Sequence, residues 1–81
     1  MAKLLFFGRM SDIEADRDVD LPQGVSDTDA LIDWLSADNP VFADMVREKG
    51  NSLVVNQAIV RGATPISNAD EIAFLSPVSG G

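Results

Sequence analysis

The sequence contains no cysteine and no histidine. These absences remove disulfides, thiol nucleophiles, zinc sites of the usual kind and imidazole acid–base catalysis. Cations are scarce too: six Lys and Arg stand against thirteen Asp and Glu, a net charge of −7. Such a chain repels polyanions, which argues against nucleic acid and anionic membranes as partners and for a basic protein surface. No apolar run approaches the ~20 residues that span a bilayer. The opening residues 1–7 lack the long apolar core and small-residue cleavage site of a signal peptide. Neither G-x-x-x-x-G-K nor G-x-G-x-x-G occurs, so this chain is not expected to bind ATP alone. The expectation is a cytoplasmic protein with no bound cofactor and no metal.

Eighty-one residues make one domain. A chain of this size buries only about 60–65 % of its unfolded surface, so the core is small. That leaves little room for an internal active site and places function on the surface or at a terminus.

Residues 2–7 are apolar, too short for a good helix and stopped by Gly8, which predicts a strand. With Lys3 in water, Leu4 and Phe6 face inward and Leu5 and Phe7 outward. Over 12–21 acids hold the even positions, and Ile13, Ala15, Val19 and Leu21 the odd ones, with Arg17 the exception. This predicts a half-exposed strand with an acidic outer face, ended by Pro22-Gln23-Gly24 and paired with the first strand. Ser26 is expected to open a helix, with Asp29 completing an imperfect capping box and Leu31, Ile32, Trp34 and Leu35 its apolar stripe. Asn39-Pro40 reads as an N-cap with proline at the first helical position. Val41, Phe42, Met45 and Val46 follow as a second stripe, with Arg47 and Lys49 in the last turn and Gly50 as a left-handed C-cap. Residues 53–60 read as strand, Asn56-Gln57 turn, strand. Residues 61–70 read as a loop. Residues 71–76 read as a last strand with Ile72 and Phe74 inward. Residues 77–81 read as a free tail.

The order β-β-α-(α)-β-β-β implies an α+β fold. Four to five strands would pack on one main helix plus a short second one, with residues 1–76 the domain and 77–81 the tail.

The alternating acids invite a calcium reading, but the match fails. Counting from Asp16, the sixth and twelfth positions of an EF-hand loop would be Leu21 and Asp27, where Gly and Glu are needed. A solvated strand face is the simpler account. Trp34 and Met45 read as core, and Gly8 and Gly62 as turn residues.

The ending is different. Two terminal glycines arise by chance in about 0.5 % of chains at the background frequency of ~7 %. Here Gly80-Gly81 follows a strand and a proline and closes a domain with no other chemistry. Without Cβ atoms such a tail threads a narrow channel, and a nucleotide or nucleophile can approach its carboxylate closely. Six extended residues from Ser76 to Gly81 reach at most about 20 Å, enough to enter a partner's active site.

Three segments carry a resemblance along essentially the whole chain: Lys3-Leu4-Leu5-Phe6-Phe7-Gly8, Val55-Asn56-Gln57-Ala58-Ile59-Val60, and Asp70-Glu71-Ile72-Ala73-Phe74-Leu75-Ser76-Pro77-Val78-Ser79-Gly80-Gly81. The chain resembles the ubiquitin-like sulfur carriers of β-grasp fold and, within them, the molybdopterin synthase small subunits. Two departures stand out. Ala69 replaces a common glycine, with Asn68 expected to take the left-handed conformation instead. Ser76 replaces a common second proline, which predicts a slightly looser tail.

The resemblance implies that a ubiquitin-activating-like adenylating enzyme consumes ATP to adenylate the Gly81 carboxylate. A sulfur donor protein then leaves a thiocarboxylate. The large subunit of molybdopterin synthase receives the tail, including Gly80, and sulfur passes to a cyclic pyranopterin monophosphate in a heterotetramer. The chain would be a sulfur-donating subunit and no enzyme on its own. Should the first and last strands lie side by side, as in that fold, Leu5, Phe7, Ala73 and Leu75 form one apolar patch beside the tail. Phe7, Leu75 and Val78 are the expected partner contacts. Reversed parity would bury Phe7 instead. A thiamine-pathway sulfur carrier, a ubiquitin-like protein modifier, or an interaction domain with an incidental Gly-Gly ending are the alternative readings; the segment 40–49 argues against the first.

Overall fold

A computed structural model describes residues 1–77. The opening apolar run forms β1 (Ala2–Phe7) with strict alternation: Ala2, Leu4 and Phe6 are buried, while Lys3 and Phe7 are exposed. Beyond it a single 3-10 turn over Gly8–Asp12 inserts Met10 fully into the core. The chain returns as β2 (Arg17–Val19), crosses one face of the sheet as α1 (Thr28–Asp38) and turns into α2 (Pro40–Val46). The hairpin β3 (Ser52–Val55) and β4 (Ala58–Val60) follows, then β5 (Glu71–Leu75). The strands form one mixed sheet in the order β2-β1-β5-β3-β4, with β1 and β5 parallel and the other neighbours antiparallel. This is the expected α+β, β-grasp arrangement, with five strands, a main helix and a shorter one.

One layer of apolar side chains holds the sheet to the helices. Phe6 and Phe74 stack at 5.2 Å between ring centroids, and Phe42 meets both edge-on at 6.1 and 5.5 Å. All three are almost fully buried, so Phe42 is the fully buried anchor of α2, with Met45 and Val46 packed against the same core. Such edge-to-face contacts add about 0.5–1.5 kcal/mol beyond the area buried. Leu31 and Leu35 dock α1 on the same layer, with Ile32 and Trp34 packed against its margin.

Several boundaries differ from the sequence reading. The strand expected over 12–21 is only Arg17–Val19. The 3-10 turn and the bend after it consume the residues that would have paired with the end of β1. Side chains replace the missing ladder: Asp16 Oδ1 accepts from the Phe6 N–H at 2.7 Å, and Glu14 accepts from Arg17 at 2.7 Å and from Asn39 Nδ2 at 2.8 Å. The acids are therefore only partly a solvated face. Asp27, rather than Ser26, caps α1, accepting from the Ala30 N–H at 2.8 Å, so the Ser26–Asp29 capping box is not formed. Asn39 does cap α2, accepting from the Phe42 N–H at 3.1 Å. Helix α2 ends at Val46, which leaves Arg47 and Lys49 beyond its last turn. Gly50 is left-handed (φ 91°) but lies past the Arg47 C-cap. Val41 faces solvent.

Asn56 (φ 50°) and Gln57 (φ 69°) both take the left-handed region, the geometry a two-residue hairpin requires. The Asn56 amide is used twice more. Its Nδ2 donates to Asp70 Oδ1 at 2.8 Å and its Oδ1 accepts from the Glu71 N–H at 2.9 Å, clasping the hairpin to the start of β5. Asn68 is not left-handed. The turn over 67–70 forms without positive φ, so alanine at 69 fits it, and Asn68 Oδ1 instead accepts from the Leu21 N–H at 2.9 Å.

Two outcomes follow. Phe42→Ala should lower the unfolding free energy by about 3–5 kcal/mol, read from urea titration; a loss under ~1 kcal/mol would show that α2 is not anchored by this ring. The Asp70 carboxylate is held below its ordinary pKa, first by the Asn56 amide and then by the Ser67 N–H, against a small opposing effect of burial. A lowered pKa in the folded state stabilises at pH values above the unfolded pKa of about 4, and that contribution disappears as the pH falls through the folded value. The melting-temperature gap between the protein and Asp70→Asn should therefore be present at pH 7 and close below about pH 4. A gap independent of pH would show that charge is not what the clasp uses.

Candidate functional site

The helices cover one face of the sheet, and the other face carries Phe7 and Ile59, two of the exposed large apolar side chains. Register decides which side chains share it. Leu5 lies opposite Ala73 and Phe7 opposite Leu75 across β1–β5. Val54 lies opposite Ala73 across β5–β3, and Ile59 opposite Val54 across β3–β4. Side chains alternate faces along a strand, so Leu5, Ala73, Val54 and Ile59 form one row across four strands, with Phe7 and Leu75 in the next. Phe7 is 47 % exposed and Ile59 68 %, while Leu5, Val54 and Leu75 are half-buried.

The sequence reading of Phe7 as outward is therefore right, and the structure brings Phe7 and Leu75 together as expected. Ala73 is corrected: parity points it outward, yet it is only 5 % exposed, because its short side chain lies between Leu5 and Val54 in register. Val78, Gly80 and Gly81 lie outside the described residues. Ile59 and Val54 were missed. The signal was present, since a two-residue turn at Asn56-Gln57 dictates the pairs Val55–Ala58 and Val54–Ile59, and parity then puts Ile59 beside the patch.

The last described residues stand at the Phe7–Leu75 end of this face. Ser76 is buried and Pro77 exposed. Arg9 and Glu48 make an exposed ion pair at 3.4 Å beside them, a contact of small energetic weight in water. A groove of about 370 Å³ lies between α1 and the β3–β4 hairpin; Ile59 reaches its rim, whereas Phe7, Leu75 and Ser76 do not line it. Among the described residues no group of three His, Cys, Asp or Glu side chains is placed to hold a metal ion, and no helix is long and apolar enough to cross a membrane. The arrangement is an apolar sheet face that ends beside the last described residues, and exposed apolar patches of this kind mark interfaces.

Comparison with known proteins finds relatives along the whole chain. A family model described as the ThiS family matches residues 4–81. Two relatives, each a molybdopterin synthase sulfur carrier subunit, are 30 % identical over 82 aligned positions that cover 100 % of this chain and 100 % of each relative. One is from Escherichia coli (strain K12) and the other from Haemophilus influenzae (strain ATCC 51907 / DSM 11121 / KW20 / Rd).

Because Phe7 contributes to the surface rather than the core, Phe7→Ser should change the unfolding free energy by no more than about 1 kcal/mol. Denaturant titration checks this. A loss above ~3 kcal/mol would mean that the ring is needed for folding and that the patch is core in disguise.

Proposed function

Because the chain belongs to the ThiS family, we propose that it is the sulfur carrier subunit of a molybdopterin synthase, with the Gly81 carboxylate as its working group. The observation that carries this reading is the match along the whole chain, Gly80 and Gly81 included, to two sulfur carrier subunits of that name. The uncovered sheet face, with exposed Phe7 and Ile59 and half-buried Leu5 and Leu75, supports it, since a carrier must dock while its end reacts elsewhere.

The chemistry follows from what the chain lacks. A carboxylate is a poor electrophile, so it must be activated. In the active site of an adenylating enzyme, a Gly81 carboxylate oxygen attacks the α-phosphorus of ATP, and pyrophosphate leaves with the bonding electron pair. A sulfur donor protein delivers sulfide-level sulfur to the carbonyl carbon; the C–S bond forms as the C–O bond to AMP breaks, leaving a thiocarboxylate. The charged carrier docks on the large synthase subunit through Phe7, Leu75, Ile59 and Val78. The thiocarboxylate sulfur then attacks a carbon of a cyclic pyranopterin monophosphate as a C–O bond at that carbon breaks; water cleaves the acyl C–S bond, which leaves the sulfur on the pterin and returns the Gly81 carboxylate, and two such transfers complete the dithiolene. Without histidine or cysteine, this chain supplies no proton shuttle, and those groups belong to its partners. Two carriers on a large-subunit dimer complete the assembly.

The test is the intact mass of the protein after incubation with ATP, a cognate adenylating enzyme and a sulfur donor. A gain equal to sulfur replacing one oxygen, mapped to the C-terminal peptide and lost on deletion of Gly81, is the expected result. An unchanged mass overturns the proposal. Isopeptide conjugates to lysines would assign the chain to the protein modifiers instead, and sulfur delivery to a thiazole-forming enzyme alone would assign it to the thiamine pathway.

A further inference from the structure

The parallel β1–β5 ladder ends at the pair Phe7–Leu75. Strand β1 cannot continue, because Gly8 turns the chain at φ 65° into the 3-10 turn. Across the gap the next residue of the last strand is Ser76, and its side chain takes over from the ladder. Ser76 Oγ accepts from the Arg9 N–H at 2.6 Å and donates to the Phe7 carbonyl at 3.4 Å. These bonds join residues 67 and 69 positions apart. Ser76 is only 7 % exposed, so the hydroxyl competes with little water.

Two glycines make room for this arrangement. A β-carbon at Gly8 would lie 2.5 Å from Ser76 Oγ and 3.3 Å from the Ser76 carbonyl oxygen. A β-carbon at Gly50 would lie 3.2 Å from Pro77 Cγ. Residues 76 and 77 therefore run between two loops that have no side chain at the point of contact. Proline fixes its own φ and holds the preceding residue extended. The direction in which the chain leaves the domain is thus set by a hydroxyl, a proline and two glycines.

We infer that Ser76 is a positioning residue: its hydroxyl latches the root of the Gly-Gly segment and aims it at a partner's active site. This rests on the reading of Gly81 as the reacting end. The five residues from Pro77 to Gly81 reach at most about 17 Å, so the place where the root is held limits where the reacting end can lie. A misplacement of about 1 Å is enough to slow a positioned reaction. Ordering the root in the free carrier also removes part of the entropy that docking would otherwise lose. The serine thus does with a side chain what a second proline does with its ring.

The experiment uses the full chain with its cognate adenylating enzyme and ATP. It measures the single-turnover rate of Gly81 adenylation at saturating carrier, and the carrier concentration giving half that rate. Ser76→Ala should lower the saturated rate by about ten- to a hundred-fold while half-saturation stays within about two-fold, since the docking face is untouched. Ser76→Cys, close in volume but a weak acceptor, should show the same split and serves if alanine loosens the fold. Ser76→Thr, which keeps the hydroxyl, should recover most of the rate. Amide exchange at Arg9 in the free carrier should quicken in the alanine and cysteine variants only. A merely structural role would lower the melting temperature or raise half-saturation and leave the saturated rate alone. Wild-type saturated rates in both the alanine and cysteine variants overturn the inference while leaving the function intact. A wild-type chain that is not adenylated at all overturns the reading of Gly81 and this inference with it.

Discussion

The pairing of β1 with β5 is the contact on which the rest of the structure depends. It joins the first and last strands of the described chain in parallel, through five residue pairs from Lys3–Glu71 to Phe7–Leu75. Parallel neighbours cannot be joined by a tight turn, so everything between must cross over. Both helices travel in that crossover and cover one face, which closes Leu4, Phe6, Ile72 and Phe74 from water. Closing so long a loop is entropically unfavourable, though the cost grows only slowly with length. Burial of this apolar row and the Phe42 ring is what offsets it. The same pairing leaves the opposite face uncovered and brings Phe7 next to Leu75. The uncovered apolar face and the position of Ser76 and Pro77 at its end are therefore consequences of one ladder rather than separate features.

That ladder explains which parts of the architecture were legible in the sequence. Elements with a local cause could be read. Strand β1 has an apolar run and a glycine stop, α2 has Asn39-Pro40, and the hairpin has a pair of residues that tolerate positive φ. Strand β2 has an equally clear alternating pattern and was overread. Its pairing is limited by what β1 does, and after Phe7 the main chain turns away. Alternation reports that a strand is affordable at 12–21, not that a partner is present there. The N-cap of α1 failed for a similar reason. Ser26 and Asp27 are both good caps, and the choice falls to Asp27 where the bridge with Pro65 and the Thr28–Thr64 hydrogen bonds fix the entry of the helix.

The site was legible in a different way. Phe7 and Leu75 followed from parity alone, and parity is reliable when one face is packed against helices. Exposure was less so, because a side chain that points outward is exposed only if it rises above its neighbours. Ala73 is a floor between Leu5 and Val54, and Ile59 on the edge strand is the summit. Ser76 looked like the loss of a proline. Its hydrogen bonds go to Phe7 and Arg9, which lie at the far end of the chain, so nothing near it in sequence announces them.

Charge and composition complete the logic. Thirteen acids on a small domain do not all serve a partner. Asp16 and Glu14 complete a sheet edge and an α2 cap, and Asp70 clasps a hairpin. These jobs fall on side chains because the main chain has short strands and many turns, so backbone groups at strand ends need other partners. A domain built this way commits its polar groups to holding its own shape. It keeps one apolar sheet face free of them. The division suits a carrier proposed to do no chemistry itself. Its contribution is geometric, a rigid surface to be recognised and an exit held at a fixed place on it. The reactive groups that would make and break bonds at that end can then reside in several different partners, each meeting the same face.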